Sequence, residues 1–279
     1  MLVRTQHASR FRRLIDSAGL TPVAFVVWRA GREWTPSLWL RNRRHCRAHE
    51  HSTPIPPSNL IFSSTGTRDV DWFLNSGHAT ADTLREALSS IGRPLESFER
   101  VFELGCGCGR LLRQWIDVDG PEFYACDCNP RVIEWGRTHF GHVTFAQNNL
   151  EPPLRFLAGR GGLDFDLCYA VSVFTHLPER MQIPWLEELH RILRPDGILL
   201  VTLSGEGDLV RTTPDEQERF SEGQLVVVDG QCAGTNLCGV YHPEAYVRKN
   251  WSRFFEILRF IPQGAKGTPR QDLYVLRRV

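Results

Sequence analysis

The sequence predicts an α/β fold, a mostly parallel sheet flanked by helices and preceded by a helical extension. Three observations predict it. From about residue 99, short apolar runs alternate with stretches of helical period, the pattern in which each crossover helix returns the chain to a parallel strand. One apolar run ends in Glu103 and is followed by glycines at 105, 107 and 109 and then by Arg110-Leu111-Leu112, which reads as strand, tight turn and helix start. The last two strand-like runs follow one another with no helical stretch between them.

Residues 1–50 mix ten arginines with Phe11, Leu14, Leu20, Phe25, Trp28, Trp34 and Trp39, and helices are expected there, broken near Pro22 and Pro36. Only Asp16, Glu33 and Glu50 oppose those arginines, so the segment carries +7 and the other 229 residues carry −6 in a chain of net +1. Arginine beside Trp and Phe suits an anionic membrane surface, so peripheral membrane contact through residues 1–50 is one expectation. A helical cap with solvated arginines is the other. Residues 51–60 hold three prolines, which remove donors and restrict their neighbours. The expected division is therefore a basic extension and linker over 1–60 and one domain over 61–279, with an insertion at about 205–240 where the alternation breaks.

Leu84, Leu88 and Ile91 fall on one stripe and predict a helix over 79–92. Strands are then expected near 99–104, 122–127, 142–146, 164–171, 197–204, 253–260 and 271–278. Helices are expected near 109–117, 130–139, 180–194 and 242–251.

Composition excludes little. The near-zero net charge gives no global pull toward nucleic acid, and no nucleic-acid partner is expected. The start is arginine-rich without a clean apolar core, and its longest apolar stretch, Val23 to Trp28, is far too short to span a bilayer. Eight cysteines in so long a chain read as free thiols in a reducing cytoplasm.

The chemistry gathers at strand ends. Glycines permit positive φ and close approach of a ligand to the chain. A dinucleotide fingerprint would need its third glycine at 110, where arginine stands. Asp127 ends the second strand, 18 residues after Gly109, and a carboxylate there can accept from both hydroxyls of a ribose. It can also be read as a turn residue before Asn129-Pro130. Asn148 or Asn149, after the third strand, carries a side-chain oxygen that can accept from an amine, or belongs to an ordinary loop before Pro152-Pro153. His176 follows the fourth strand, where an imidazole could take a proton from a substrate hydroxyl or only order its loop. His242 and Tyr241, on the substrate side, are further catalytic candidates. Cys106, Cys108, Cys126 and Cys128 end adjacent strands, but the glycines bend one pair away, and no metal is expected.

The pattern Glu103-x-Gly105-x-Gly107-x-Gly109 resembles the first motif of class I S-adenosyl-L-methionine (SAM)-dependent methyltransferases. The runs Ser172-Val-Phe-Thr-His-Leu177 and Trp185 to Thr202 extend the resemblance over about 100–204, and Tyr241 to Val247 with Gln271 to Leu276 carry it to the C-terminus. The resemblance implies a seven-stranded Rossmann-like sheet, six strands parallel and one antiparallel, with SAM as cofactor. It places the cofactor against Glu103, Gly105, Cys106, Gly107, Gly109, Asp127, Cys128, Asn148, Asn149, Leu150, Val171 and Ser172. The family usually has an aspartate where this chain has Asn148 and Asn149. The implied activity is methyl transfer to an oxygen of a small molecule or a cell-envelope glycan. The alternative is a SAM-binding scaffold or sensor without catalysis. The expected location is the cytoplasm, with peripheral contact at the inner membrane face.

Overall fold

A computed structural model describes residues 35–48, 53–157, 164–268 and 271–279. The helix break expected at Pro22 lies outside them, and so does most of the basic extension.

Seven strands form one sheet: β1 (Arg100–Leu104), β2 (Glu122–Asp127), β3 (Val143–Gln147), β4 (Phe165–Val171), β5 (Leu193–Leu203), β8 (Phe255–Ala265) and β9 (Gln271–Arg278), in the order β3-β2-β1-β4-β5-β9-β8. Neighbours from β3 to β5 pair in parallel, whereas β9 is antiparallel to both β5 and β8. Six strands therefore share one direction and β9 opposes them, inserted one place from the edge.

Both faces of the sheet are covered, as parallel strands require. Alternate residues of one strand supply the two cores. Phe102, Cys168, Leu199, Val201 and Tyr274 face α5 (Glu179–Ile192) and α7 (Glu244–Trp251), packing on Trp185, Leu189 and Trp251. Val101, Leu167, Tyr169, Leu200 and Val275 face α3 (Val70–Ser89), packing on Ala81, Leu84 and Leu88. The helix α4 (Pro130–His139) opens as its sequence predicts, with Asn129 capping the Arg131 N–H and proline in the first turn.

Three expectations are corrected. No α-helix spans 109–117: a short 3₁₀ turn over Leu112–Gln114 stands there, because Gln114 N–H and Trp115 N–H bond back three residues, to Leu111 and Leu112. The helix expected over 79–92 begins nine residues earlier, at Val70, where the Asp69 carboxylate caps the Trp72 N–H. The linker over 51–60 ends inside α2 (Ser58–Thr65), since proline is tolerated just before a first helical turn. The insertion is itself ordered: α6 (Pro214–Ser221) and the hairpin β6 (Val226–Val228) with β7 (Gly239–Tyr241).

Of the extension, α1 (Pro36–Ala48) is described. Asn42 accepts from the Val70 N–H and donates to the Arg68 carbonyl, while Arg41 pairs with Asp69 and His45 with Asp71. This fixes the helix to the start of α3. Among the described residues no helix is long and apolar enough to cross a membrane.

Candidate functional site

The strand order reverses at β1, whose neighbours β2 and β4 lie on its two sides, so the chain runs outward to β3 on one side and to β5 on the other. In an open α/β sheet, a ligand crevice forms beyond the carboxyl ends of the strands at that switch. The glycine turn sits there. Gly105, Gly107 and Gly109 have φ of 71°, 53° and 81°, all left-handed. All three are also crowded. A Cβ on Gly105 would lie 2.6 Å from Val173, one on Gly107 would lie 2.8 Å from Ser64 of α2, and one on Gly109 would lie 2.5 Å from the Phe140 ring.

The turn is tied to the neighbouring strand. Gly105 N–H and Cys106 N–H donate to the Cys126 carbonyl at 2.9 and 3.0 Å. Asp127 then receives Gly107 N–H on Oδ2 at 2.9 Å and Asn129 N–H on Oδ1 at 2.8 Å. Burial pushes its carboxyl up and these two bonds oppose that. Each oxygen has a second lone pair, so the carboxylate can accept further bonds from a diol. Asn148 Nδ2 donates to the Asn149 carbonyl, and its Oδ1 is buried with no hydrogen-bond partner. A buried acceptor left unmade is costly, and an exocyclic amine is a donor of the required kind. These residues fit an adenosine.

Glu103 does not line the crevice. It is buried beneath the turn, accepts from Tyr169 Oη at 3.0 Å, and Trp115 Nε1 donates to that hydroxyl at 3.0 Å. Burial raises the Glu103 carboxyl to about 8. Cys106 is buried too, and its backbone N–H and carbonyl are taken by Cys126 and Gly109. Cys128, Asn149 and Leu150 lie exposed, whereas Val171 and Ser172 are half-buried. Leu150 is held in place by Trp185 Nε1, which donates to its carbonyl at 3.0 Å.

His176 is half-buried, and its Nδ1 lies 2.7 Å from the Cys238 carbonyl. A carbonyl can only accept, so Nδ1 carries the proton and the neutral ring has its lone pair on Nε2. Segment 229–241 thus lies across the crevice: Gly234 N–H donates to the His176 carbonyl at 2.8 Å and Asn236 Nδ2 to the Ser63 carbonyl at 3.2 Å.

His242 is placed elsewhere. It is buried, its Nε2 lies 2.8 Å from the Gln182 amide, and burial lowers its pKa to about 3. It stays neutral and enclosed, a core residue and not a base facing substrate. Tyr241 is also buried, in β7 opposite Val226. Burial pushes the thiols of Cys106, Cys126 and Cys168 well up, and that of Cys108 to about 12. Among the described residues no three His, Cys, Asp or Glu are grouped to hold a metal ion.

Sequence reasoning missed Ser64 on the glycine turn, and it missed Thr202 and Gln271 beneath the loop of His176. A threonine within the apolar run Ile198 to Leu203 was the available signal for Thr202. Nothing pointed to the other two.

The sequence pattern of a family of methyltransferase domains matches residues 102–199. The chain is similar to the tRNA N(3)-methylcytidine methyltransferase of Schizosaccharomyces pombe, 25% identical over 139 residues, which are 47% of this chain and 52% of that protein. It is similar to the malonyl-[acyl-carrier protein] O-methyltransferase of Enterobacter lignolyticus, 32% identical over 113 residues, 39% of this chain and 40% of that one. The chain therefore spans about half or less of the length of these two relatives. In three dimensions it resembles an S-adenosylmethionine-dependent methyltransferase from Clostridium acetobutylicum, with a TM-score of 0.52, 12% identity, and coverage of 72% of this chain and 91% of that one.

Proposed function

We propose, from the match of residues 102–199 to a family of methyltransferase domains and from the Rossmann-like strand order, that this chain binds SAM and methylates an oxygen of a small molecule or a cell-envelope sugar. The observation that carries the reading is the convergence of three elements at the switch point: the left-handed turn 105–109, the Asp127 carboxylate that it grips, and the unmatched Asn148 Oδ1.

Each residue then has a task. Asp127 receives the ribose hydroxyls on its remaining lone pairs. Asn148 Oδ1 accepts from the adenine amine. The glycine turn lets the backbone approach the methionine portion, and Glu103 braces it from below through Tyr169. The cofactor supplies an electrophilic methyl group on a sulfonium. His176 Nε2 takes the proton from the acceptor hydroxyl, a role for which the Cys238 carbonyl sets the tautomer. Alignment of acceptor and donor supplies the largest share of the rate, up to about 7–11 kcal/mol.

Absences in the sequence support oxygen on a small acceptor. The fourth strand ends Ala-Val-Ser-Val, without the Asp/Asn-Pro-Pro-Tyr expected for amino methylation of adenine or glutamine amides. Lys249 and Lys266 are the only lysines. Residues 51–279 carry the −6 noted above, which disfavours a polyanionic acceptor at the site. Membrane contact through α1 is part of the same reading. Its outer face shows Trp39, 57% exposed, and Leu40, 45% exposed, beside Arg43, Arg44 and Arg47, with no acidic residue on the helix.

Calorimetric titration with S-adenosylhomocysteine, with NADH as control, tests the cofactor. Binding of the former alone, lost in Asp127→Ala, is the expected result. Binding of neither ligand would overturn it. Binding without product formation on any hydroxylated acceptor would leave a SAM-binding scaffold or sensor.

A further inference from the structure

Three strands meet at the His176 loop through a closed ring of polar side chains. Ser172 N–H, at the end of β4, donates to Thr202 Oγ1 of β5 at 2.8 Å. The Thr202 hydroxyl donates to Gln271 Oε1 of β9 at 2.7 Å, and Gln271 Nε2 returns to Ser172 Oγ at 2.9 Å. Ser172 Oγ lies 3.1 Å from Thr175 Oγ1, which donates to the Ser172 carbonyl at 2.9 Å.

The donors and acceptors fix one arrangement. An amide oxygen can only accept, so the Thr202 proton points to Gln271 and its lone pair receives Ser172 N–H. Ser172 Oγ accepts from Gln271, and because the Thr175 proton goes to the Ser172 carbonyl, the Ser172 hydroxyl donates to Thr175. Turning the Gln271 amide around would leave the Thr202 proton without an acceptor. Thr202 and Gln271 are 0% and 2% exposed. Buried networks satisfied at every member hold one geometry, and losing one member leaves costly unpaired groups.

The geometry held is unusual. Ser172 has φ of 59°, a left-handed conformation that side-chain-bearing residues seldom adopt. That single turn takes the chain off β4. It seats Val173 against Gly105, where a Cβ would lie 2.6 Å from Val173 Cγ2. It also begins the 3₁₀ turn Phe174–His176 that carries the imidazole to the Cys238 carbonyl. One residue's backbone therefore sets both the underside of the glycine turn and the place of His176.

We infer that Thr202 and Gln271 are positioning residues for the cofactor site: by holding Ser172 left-handed they keep Val173 under Gly105 and His176 at the crevice. The inference rests on the SAM reading for its ligand. A ring that only tied three strands together would affect stability and leave ligand affinity alone.

The test is Thr202→Val, which keeps the shape and removes both bonds, against Thr202→Ser, which keeps the hydroxyl. Affinity for S-adenosylhomocysteine is measured by calorimetry, folding by the cooperativity of the thermal melt, and loop order by amide hydrogen exchange over 172–177. The expected result is a tenfold or greater loss of affinity in Thr202→Val, with faster exchange over 172–177 and rescue to within about twofold in Thr202→Ser. Gln271→Met, which removes the ring from the β9 side, is to behave like Thr202→Val and decides the matter if the latter does not fold. Parental affinity in either folded apolar variant would overturn the inference, as would unchanged exchange over 172–177. If the parent binds no S-adenosylhomocysteine, the SAM reading fails by itself, and the exchange measurement still decides whether the ring holds the loop.

Discussion

Gly107 N–H donates to Asp127 Oδ2 at 2.9 Å, joining the turn after β1 to the carboxylate that ends β2. The acid thus has two tasks. It holds the glycine turn through Oδ2 and the start of α4 through Asn129 N–H on Oδ1, and offers the remaining lone pairs to a ligand.

Asp127→Asn separates those tasks from Asp127→Ala. The amide keeps one acceptor oxygen, but its NH₂ faces a backbone N–H. Alanine strands both Gly107 N–H and Asn129 N–H, at about 1–3 kcal/mol for each buried group left unmade. Urea denaturation should show the alanine variant as the less stable. Calorimetry should show S-adenosylhomocysteine affinity reduced in both, and most in alanine.

Glu103 makes stability fall with rising pH. Its carboxyl titrates at about 8 in the folded chain because it is buried, and near the ordinary carboxylate value of roughly 4.3 when unfolded. Between those values the native state holds a proton that the unfolded state has released, so stability declines across that window, by a total on the order of a few kcal/mol. Glu103→Gln still accepts from Tyr169 and does not titrate. Its stability should change less between pH 5 and pH 8 than the parent's, and equal slopes would refute this account.

Gly77→Ala should reverse the usual sign of its substitution. In a helix interior, alanine is favoured over glycine by about 0.8–1.0 kcal/mol. In α3 the added Cβ would lie 2.6 Å from the Arg110 carbonyl oxygen and 3.1 Å from its side chain. The variant should melt below the parent, since backbone cannot yield as a side-chain tip can.

His176→Ala tests the proposed base. Positioned proton transfer contributes a factor of roughly 10²–10⁴, so turnover at saturating acceptor should fall by that order. Affinity for S-adenosylhomocysteine should change only severalfold. Unchanged turnover would remove His176 from the chemistry.

Charge on α1 should govern membrane association. Replacing Arg43, Arg44 and Arg47 with serine removes about 1 kcal/mol per residue near an anionic surface, together roughly a hundredfold in affinity. Co-sedimentation with phosphatidylglycerol vesicles should show that loss, and Trp39→Ala should add to it. Neutral phosphatidylcholine vesicles should bind both proteins weakly. Equal binding of parent and triple variant to anionic vesicles would exclude the contact.

Local chemistry made much of this protein legible in its sequence. Asp127, Asn129 and Pro130 define the end of β2 and the start of α4 because an apolar run, a cap and a first-turn proline act within a few residues of one another. The three glycines mark their turn because left-handed backbone favours that residue. Other features depend on partners far away in the chain. Residues 109–117 have a helical pattern, yet Trp115 reaches Tyr169, and the turn around it tightens to 3₁₀. His242 looked like a reactive imidazole until Gln182 and the surrounding core enclosed it. Ser172 takes its left-handed turn under the hold of Thr202 and Gln271, from two other strands. Periodicity and caps are properties of neighbouring residues and survive in the linear code, so the sequence alone determined the strand–helix alternation, the glycine turn and its acid. Burial, tautomer and hydrogen-bond closure depend on groups that only the folded sheet brings together. The tertiary structure therefore decided that His242 is enclosed in the core while His176 stays half-buried beside the Cys238 carbonyl.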